Sequence, residues 1–185
     1  KTYAACKKLG ALQEDANGLV TLSQEWEFVA APDSSPQDLA LKVASELEQA
    51  DGGLYELCCG LLSTPVFGQK RSWDAWRNEW PGPAAEAPFG PDDTQRNNAQ
   101  FWMQYLGWVR RIGRRHFVPD FTHWLEAWLH KVKPQGKRCL LRDVWDTWCQ
   151  ALPPLRDVNL EQGVPEAMGV ALEVLSRRKH ARFFD

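Results

Sequence analysis

No apolar run in this 185-residue chain comes near the roughly 20 residues that a membrane-spanning helix needs, which excludes a span. There is no CxxC pair, and the five cysteines, Cys6, Cys58, Cys59, Cys139 and Cys149, are odd in number. That argues against a disulfide framework and against a zinc ribbon. Buried, reduced thiols of a cytoplasmic protein are the expectation, since a free cysteine packs like a small hydrophobe. Net charge is −2, so no global field draws the chain to nucleic acid, and any such binding must come from local patches. A phosphate-cradling glycine-rich loop and a nucleophile elbow are both missing. No Asp or Glu pair stands isolated in an apolar setting that would tune its pKa. The expectation is a non-enzyme with no cofactor. Nor is there an initiator methionine: Lys1 opens the chain. We expect a piece of a longer protein cut at both ends, with the true N-terminus and any signal peptide out of sight.

The bulk composition, 44% hydrophobic and 25% charged, is that of a folded protein, long enough for one domain or two small ones. Ten tryptophans are the outlier. They come in pairs: Trp73 and Trp76, Trp102 and Trp108, Trp124 and Trp128, Trp145 and Trp148. Spacings of three and four put both rings on one helix face. Rings filling the junctions between small helical units are expected before a ligand cage, because aromatics contribute most to core burial.

Three times a helix-like stretch ends in Leu-Gly or Leu-Ser and passes into a short strand-like tail. The first runs from Ala4 to Leu12, crosses Gln13 to Asn17 and Gly18, and continues Leu19-Val20-Thr21-Leu22. The second runs from Phe101 to Val109, crosses Arg110 to Arg115, and continues His116-Phe117-Val118-Pro119. The third runs from Met168 to Leu175, crosses Ser176 to Lys179, and continues His180-Ala181-Arg182-Phe183-Phe184. Helical spacing, a Gly or Ser stop and a β-prone tail are how the third helix and wing of a winged-helix domain read in sequence.

The predicted fold is mainly α with short β-hairpins, as tandem winged helix-turn-helix units joined by linker helices. Residues 1–30 would be the C-terminal part of a truncated unit, its hairpin closed by a two-residue turn at Asn17-Gly18. Residues 31–119 would be a second unit with an inserted loop. There, Ser35 caps a helix to about Ala50 with Pro36 at its first position. Further helices are expected near 54–62, 72–80 and 93–106, with a loop rich in Pro, Gly and Ala over Pro81 to Pro91. The acidic start Asp92-Asp93 suits the last helix's dipole. Residues 120–185 would be a linker helix ending near Pro134 and a third unit truncated at its wing. Its helices are expected at about 138–151, 156–162 and 165–178, with Pro153-Pro154 marking the first break.

The candidate nucleic-acid contacts are the basic wings. Arg110, Arg111, Arg114, Arg115 and His116 form the second, and Arg177, Arg178, Lys179, His180 and Arg182 the third. Such residues give phosphate contact that is blind to sequence and sensitive to salt. Gln95, Arg96, Asn97, Asn98 and Gln100 open the second recognition helix and could read base edges. Glu14 and Asp15 in the first wing should repel phosphate. The third recognition helix, opening Val164-Pro165-Glu166-Ala167, has little to read a base with. His123, Glu126 and His130 share one helix face, but without HExxH or a clear fourth ligand a polar stripe is expected there, not a metal site.

Several phrases resemble one bacterial family: Phe101-Trp102 with Tyr105-Leu106-Gly107-Trp108, Phe117-Val118-Pro119-Asp120-Phe121-Thr122, Ala151-Leu152-Pro153-Pro154-Leu155, and Ala171-Leu172-Glu173-Val174-Leu175. They look like the DpdG proteins of DNA-modification and anti-phage islands, over residues 95–185, with Phe121 where that pattern has proline. The resemblance implies a role in a DNA-directed defence assembly and carries over no catalytic residue. The expected function is a non-catalytic module that contacts the DNA backbone through its basic wings, beside other subunits of a defence complex. One alternative is a protein-interaction scaffold, a winged-helix partner of a larger ATPase or nuclease complex. Another is a transcription regulator, which would need a dimer and two half-sites.

Overall fold

The computed structural model describes residue 7 and residues 11–30, 35–47, 53–66, 71–90, 92–113, 115–132, 141–158 and 163–178. The chain is mainly helical with small antiparallel hairpins, as expected. Among the described residues no helix is long and apolar enough to cross a membrane.

Strands β1 (Leu12–Glu14) and β2 (Val20–Leu22) pair antiparallel. The turn between them is longer than the two residues expected. Asp15 N–H donates to Leu19 O at 3.0 Å and Gly18 N–H to Asp15 O at 3.0 Å, which leaves Ala16, Asn17 and Gly18 in the loop. Gly18 takes φ +78°, and Asp15 Oδ1 accepts the N–H groups of Asn17 and Leu19, so one carboxylate organises the turn. A 3-10 helix (Gln24–Ala30) follows, with Trp26 buried under Lys42.

Helix α1 (Pro36–Ser45) begins as the sequence implies: Ser35 Oγ accepts Asp38 N–H at 3.1 Å, and Asp38 Oδ2 reaches back to the Ser35 N–H. The Ser35 hydroxyl also donates to Asp38, holding that carboxyl below its ordinary range. The helix ends at Ser45, short of Ala50. Its buried stripe, Ala40, Leu41, Val43 and Ala44, packs against α5 (Thr122–Val132) and α6 (Leu141–Ala151).

The middle of the chain runs α2 (Gly53–Leu62), β3 (Arg71–Ser72), α3 (Trp73–Asn78), α4 (Asp93–Tyr105), β4 (Val109–Ile112) and β5 (His116–Pro119). The sequence pattern missed β3, which pairs antiparallel with β5 and gives a three-stranded sheet of order β3-β5-β4. Helix α4 ends as Leu106-Gly107 suggests. Gly107 takes φ +71°, its N–H donates to Gln104 O at 3.1 Å, and Trp108 N–H donates to Met103 O at 2.9 Å. This double bond with a left-handed glycine closes the helix, and its outer partners, Met103 and Trp108, are both fully buried.

Beyond β5 come α5, α6, a second 3-10 helix (Pro153–Asp157) and α7 (Glu166–Arg177). Pro153 and Pro154 start the 3-10 helix, one step after the break they were expected to mark. Helix α7 continues through Ser176 and Arg177, so Leu175-Ser176 is no stop. The expected third wing from residue 179 onward, Lys179 included, lies outside the described residues, as do Leu9-Gly10 and Cys6 of the first repeat. Helix α7 packs on α5 and α2, and α2 also packs on the second 3-10 helix and α4. Buried residues from all these elements form one apolar cluster.

Eight of the tryptophans fill that core: Trp26, Trp73, Trp76, Trp108, Trp124, Trp128, Trp145 and Trp148 are each no more than 7% exposed. Trp102 and Trp108 do not act as a pair, since Trp108 lies beyond the end of α4 and Trp102 stays half-buried on it. Around Trp76 the rings are densest. Trp73, Trp80 and Phe117 meet it edge-on at 6.0, 4.9 and 5.2 Å between centroids, and Phe89 stacks at 5.9 Å. Trp76 Nε1 donates to Thr64 Oγ1 at 2.8 Å, and the Thr64 hydroxyl donates to Gly60 O at 2.6 Å.

Gly60 has a packing reason to be glycine. A Cβ there would lie 2.4 Å from the Trp80 ring, which a Cβ on Gly82 would meet from elsewhere at 2.5 Å. Gly60→Ala should therefore destabilise the fold by about 1–3 kcal/mol through overpacking, against a helix-propensity gain of about 1 kcal/mol. Urea unfolding should show a lower midpoint with an unchanged slope; equal or greater stability would contradict the packing.

Candidate nucleic-acid interface

The β4–β5 register decides where the basic residues go. Arg110 pairs with Val118, Arg111 with Phe117 and Ile112 with His116. Side chains alternate across a strand, so Arg110, Ile112, His116 and Val118 share one face and Val109, Arg111, Phe117 and Pro119 the other. Val109, Phe117 and Pro119 are buried, which makes theirs the core face. Arg110 and His116 are thus brought together on the outward face. Arg111 belongs to the core face but stays exposed near the tip, where its Nε–H donates to Gly113 O at 2.8 Å. Arg115 is exposed beside the turn; Arg114 lies outside the described residues.

The hairpin is anchored at its base. Phe117 stacks on Trp73 with centroids 3.9 Å apart, and Asp120 N–H donates to Trp108 O at 2.8 Å. Asp120 serves two further groups: Oδ1 accepts Thr122 N–H at 3.0 Å at the start of α5, and Oδ2 lies 3.4 Å from Arg110 Nε. The Arg110 side chain nevertheless remains 70% exposed.

The first turn of α4 is already committed. Asp92 caps it by accepting Thr94 N–H, and Gln95 Oε1 accepts Gly90 N–H at 2.7 Å. Arg96 is held by Asp74 at 3.0 Å and by Asp93, so two carboxylates flank this cation. Asn97 and Asn98 are exposed one turn further on.

The second half of α4 carries a feature that residue-type reasoning missed. Phe101 is 61% and Tyr105 36% exposed, with their rings 6.0 Å apart and nearly parallel at 12°. Half-buried Trp102 stands edge-on to both at 5.9 Å. The signal was present in the helical phase: Ala99, Met103 and Leu106 make the buried stripe, and Phe101 and Tyr105 fall off it.

Arg177 and Arg178 lie at the end of α7, with Arg177 paired to Glu173. Arg178 Nη1 lies 3.9 Å from Glu126 Oε2, which is also 3.9 Å from His123 Nδ1. Of the two, Arg178 is thus turned toward α5, while Arg177 stays with its own helix. Among the described residues no group of three or more His, Cys, Asp or Glu is arranged to hold a metal ion.

A cleft of about 510 Å³ lies between the end of α2, the loop at Pro81 and Pro83, and the start of α7. Cys59, Asp157 and Glu166 line it. Tyr55 donates its hydroxyl to Asp157 Oδ2 at 2.5 Å, and Val66 N–H donates to Glu166 Oε2 at 2.8 Å. Burial, aided by the Asp157 and Glu56 carboxylates, pushes the Cys59 thiol up to about 12, and burial, aided by the neighbouring Cys59, drives Cys58 well above the usual range. Both are protonated near neutral pH and poor nucleophiles.

The chain matches no family model, and comparisons with the curated proteins and with the solved structures find no match either.

Because folding favours the protonated Cys59 thiol, its contribution is complete below the unfolded value near 8.5 and is lost as pH rises toward the folded value. Iodoacetamide at pH 8 should leave Cys58 and Cys59 unmodified in the native protein and alkylate both in denaturant. Peptide mass mapping reads the outcome, and native-state alkylation of either would contradict their burial.

Proposed function

We propose that this chain is a non-catalytic nucleic-acid-binding and assembly module, built from winged-helix units and belonging to a bacterial anti-phage defence protein. The helix–strand–helix–helix–strand–strand order from α2 to β5, with sheet order β3-β5-β4, supports the winged-helix reading of the middle unit. The observation that carries the function is the β4–β5 hairpin. It follows directly on α4, is braced by the Phe117–Trp73 stack, and presents exposed Arg110, Arg111, Arg115 and His116. Exposed arginines on a braced support suit phosphate contact, which needs charge and position and no chemistry. The defence assignment rests on the resemblance over residues 95–185.

A second reading, a scaffold that docks another subunit, draws support from the first turn of α4. Asp74, Asp92 and Asp93 there oppose phosphate, and Asp74 and Asp93 already occupy Arg96.

Fluorescence anisotropy with a labelled random duplex between about 50 and 200 mM salt separates the two. The nucleic-acid module should bind with an affinity that falls steeply with salt. Replacing Arg110, Arg111, Arg114 and Arg115 together by alanine should weaken binding at least about tenfold and flatten the log–log slope by about 0.9 for each phosphate contact removed. Unchanged binding by that variant would remove the hairpin mechanism. No binding by the unaltered chain at the lowest salt would favour the scaffold.

A further inference from the structure

We propose that the aromatic face of α4 is a stacking platform for unpaired bases, so that the module's nucleic-acid ligand is single-stranded; this rests on the nucleic-acid reading above and narrows it. Phe101 and Tyr105 are large apolar rings left in solvent although the core beside them is closely filled. They lie nearly parallel at 12°, and Trp102, perpendicular to both at 76° and 87°, fixes their orientation. Ordered, exposed rings of this kind mark a contact surface.

The charge around the platform names its occupant. From Thr94 to Pro119 the chain contains no carboxylate side chain and five arginines, Arg96, Arg110, Arg111, Arg114 and Arg115. Arg96 is taken by Asp74 and Asp93; on the hairpin side Arg110 lies 3.4 Å from Asp120 yet stays 70% exposed, and Arg111 and Arg115 are exposed, so the net positive charge falls on that side of the rings. Only Leu106 to Val109 separate Tyr105 from Arg110, and the glycine-closed helix end fixes their path. A strand of alternating bases and phosphates needs this pairing of ring faces with nearby cations. Exposed Asn97 and Asn98, one turn before Phe101, add side-chain amides on the approach to the platform.

Duplex DNA fits this surface less well. A recognition helix reads the major groove with its N-terminal residues. Here that end carries Asp92 and Asp93, and its arginine is engaged. A single strand can avoid the acidic end, running along the second half of α4 and onto β4–β5. Stacking on Phe101 and Tyr105 requires base faces that a closed duplex does not offer.

The test is anisotropy with the intact chain against labelled oligothymidylate of about 16 nucleotides and a duplex of equal length. We expect tighter binding to the single strand. Phe101→Ala with Tyr105→Ala should weaken single-strand binding about tenfold or more and change duplex binding less than about twofold. Phe101→Tyr, which keeps a ring face, should retain most of the affinity, and an unchanged urea midpoint in each variant shows that folding is intact. Tighter duplex binding, or equal losses on both ligands, would overturn the platform while leaving the basic-hairpin reading in place. Absence of binding to either ligand at about 50 mM salt would overturn both and make the rings a contact for another protein.

Discussion

The enclosure of a single indole governs the middle of this protein. Trp76 is fully buried, and a buried N–H without a partner costs about 1–3 kcal/mol, so its hydrogen bond to Thr64 spares the core a cost that the buried indole N–H groups of Trp80, Trp108, Trp124 and Trp148 leave in place. Thr64 accepts the Trp76 N–H because its own hydroxyl donates to Gly60 O, tying the last turn of α2 to α3. Gly60 must stay small for the Trp80 ring to close over the site. Helix α3, at six residues, is too short to persist alone, so its place is set by these contacts and by the Trp73–Phe117 stack. Through Phe117 the same knot reaches β5 and the hairpin that carries the arginines.

A net charge of −2 conceals a strong gradient along one helix and its extension. Asp92, Asp93 and the Asp74 that reaches across from α3 make the start of α4 acidic. The far end is aromatic, and the hairpin beyond it is basic. Each part follows from local chemistry. Acidic residues cap and stabilise a helix N-terminus. The rings sit outside the stripe that the core can accept, and the arginines occupy positions where the sheet pleat or the turn delivers them to solvent. Under the proposed function this gradient orients a polyanion toward one end of α4 and away from the other.

Where structure depends on neighbours in sequence, it was legible. Ser35-Pro36, Asp92 and Leu106-Gly107 each act within a few residues, and the helix boundaries they imply for α1, α4 and the hairpin agree closely with the fold. What escaped was non-local or too short to show a period. Strand β3 has two residues and exists only because β5 offers it an edge. Arg96 looked available until the fold brought Asp74 to it from twenty-two residues away. Helix α7 ends close to the expected residue 178, yet the Leu175-Ser176 stop of the repeat pattern fails, because Ser176 carries no obligation to end a helix, whereas Gly107 takes the left-handed φ that makes Leu106-Gly107 an end. The exposed rings of α4 are a matter of phase: Phe101 and Tyr105 fall off the buried stripe of Ala99, Met103 and Leu106.

The same helix end that was easiest to read has the largest consequence for binding. Between Tyr105 and Arg110 the backbone is fixed by the bonds from Gly107 to Gln104, from Trp108 to Met103 and from Asp120 to Trp108. Buried Leu106 and Trp108 pin it from below, and Trp108 stacks on Phe121 ahead of α5. The distance between the proposed stacking rings and the proposed phosphate contacts is therefore set during folding. A ligand that meets both needs to order only itself, and that preorganisation lowers the entropic cost of association. Rings on a helix and cations on a braced hairpin would in this way act as one surface, although neither element alone has the charge or the area to hold a strand.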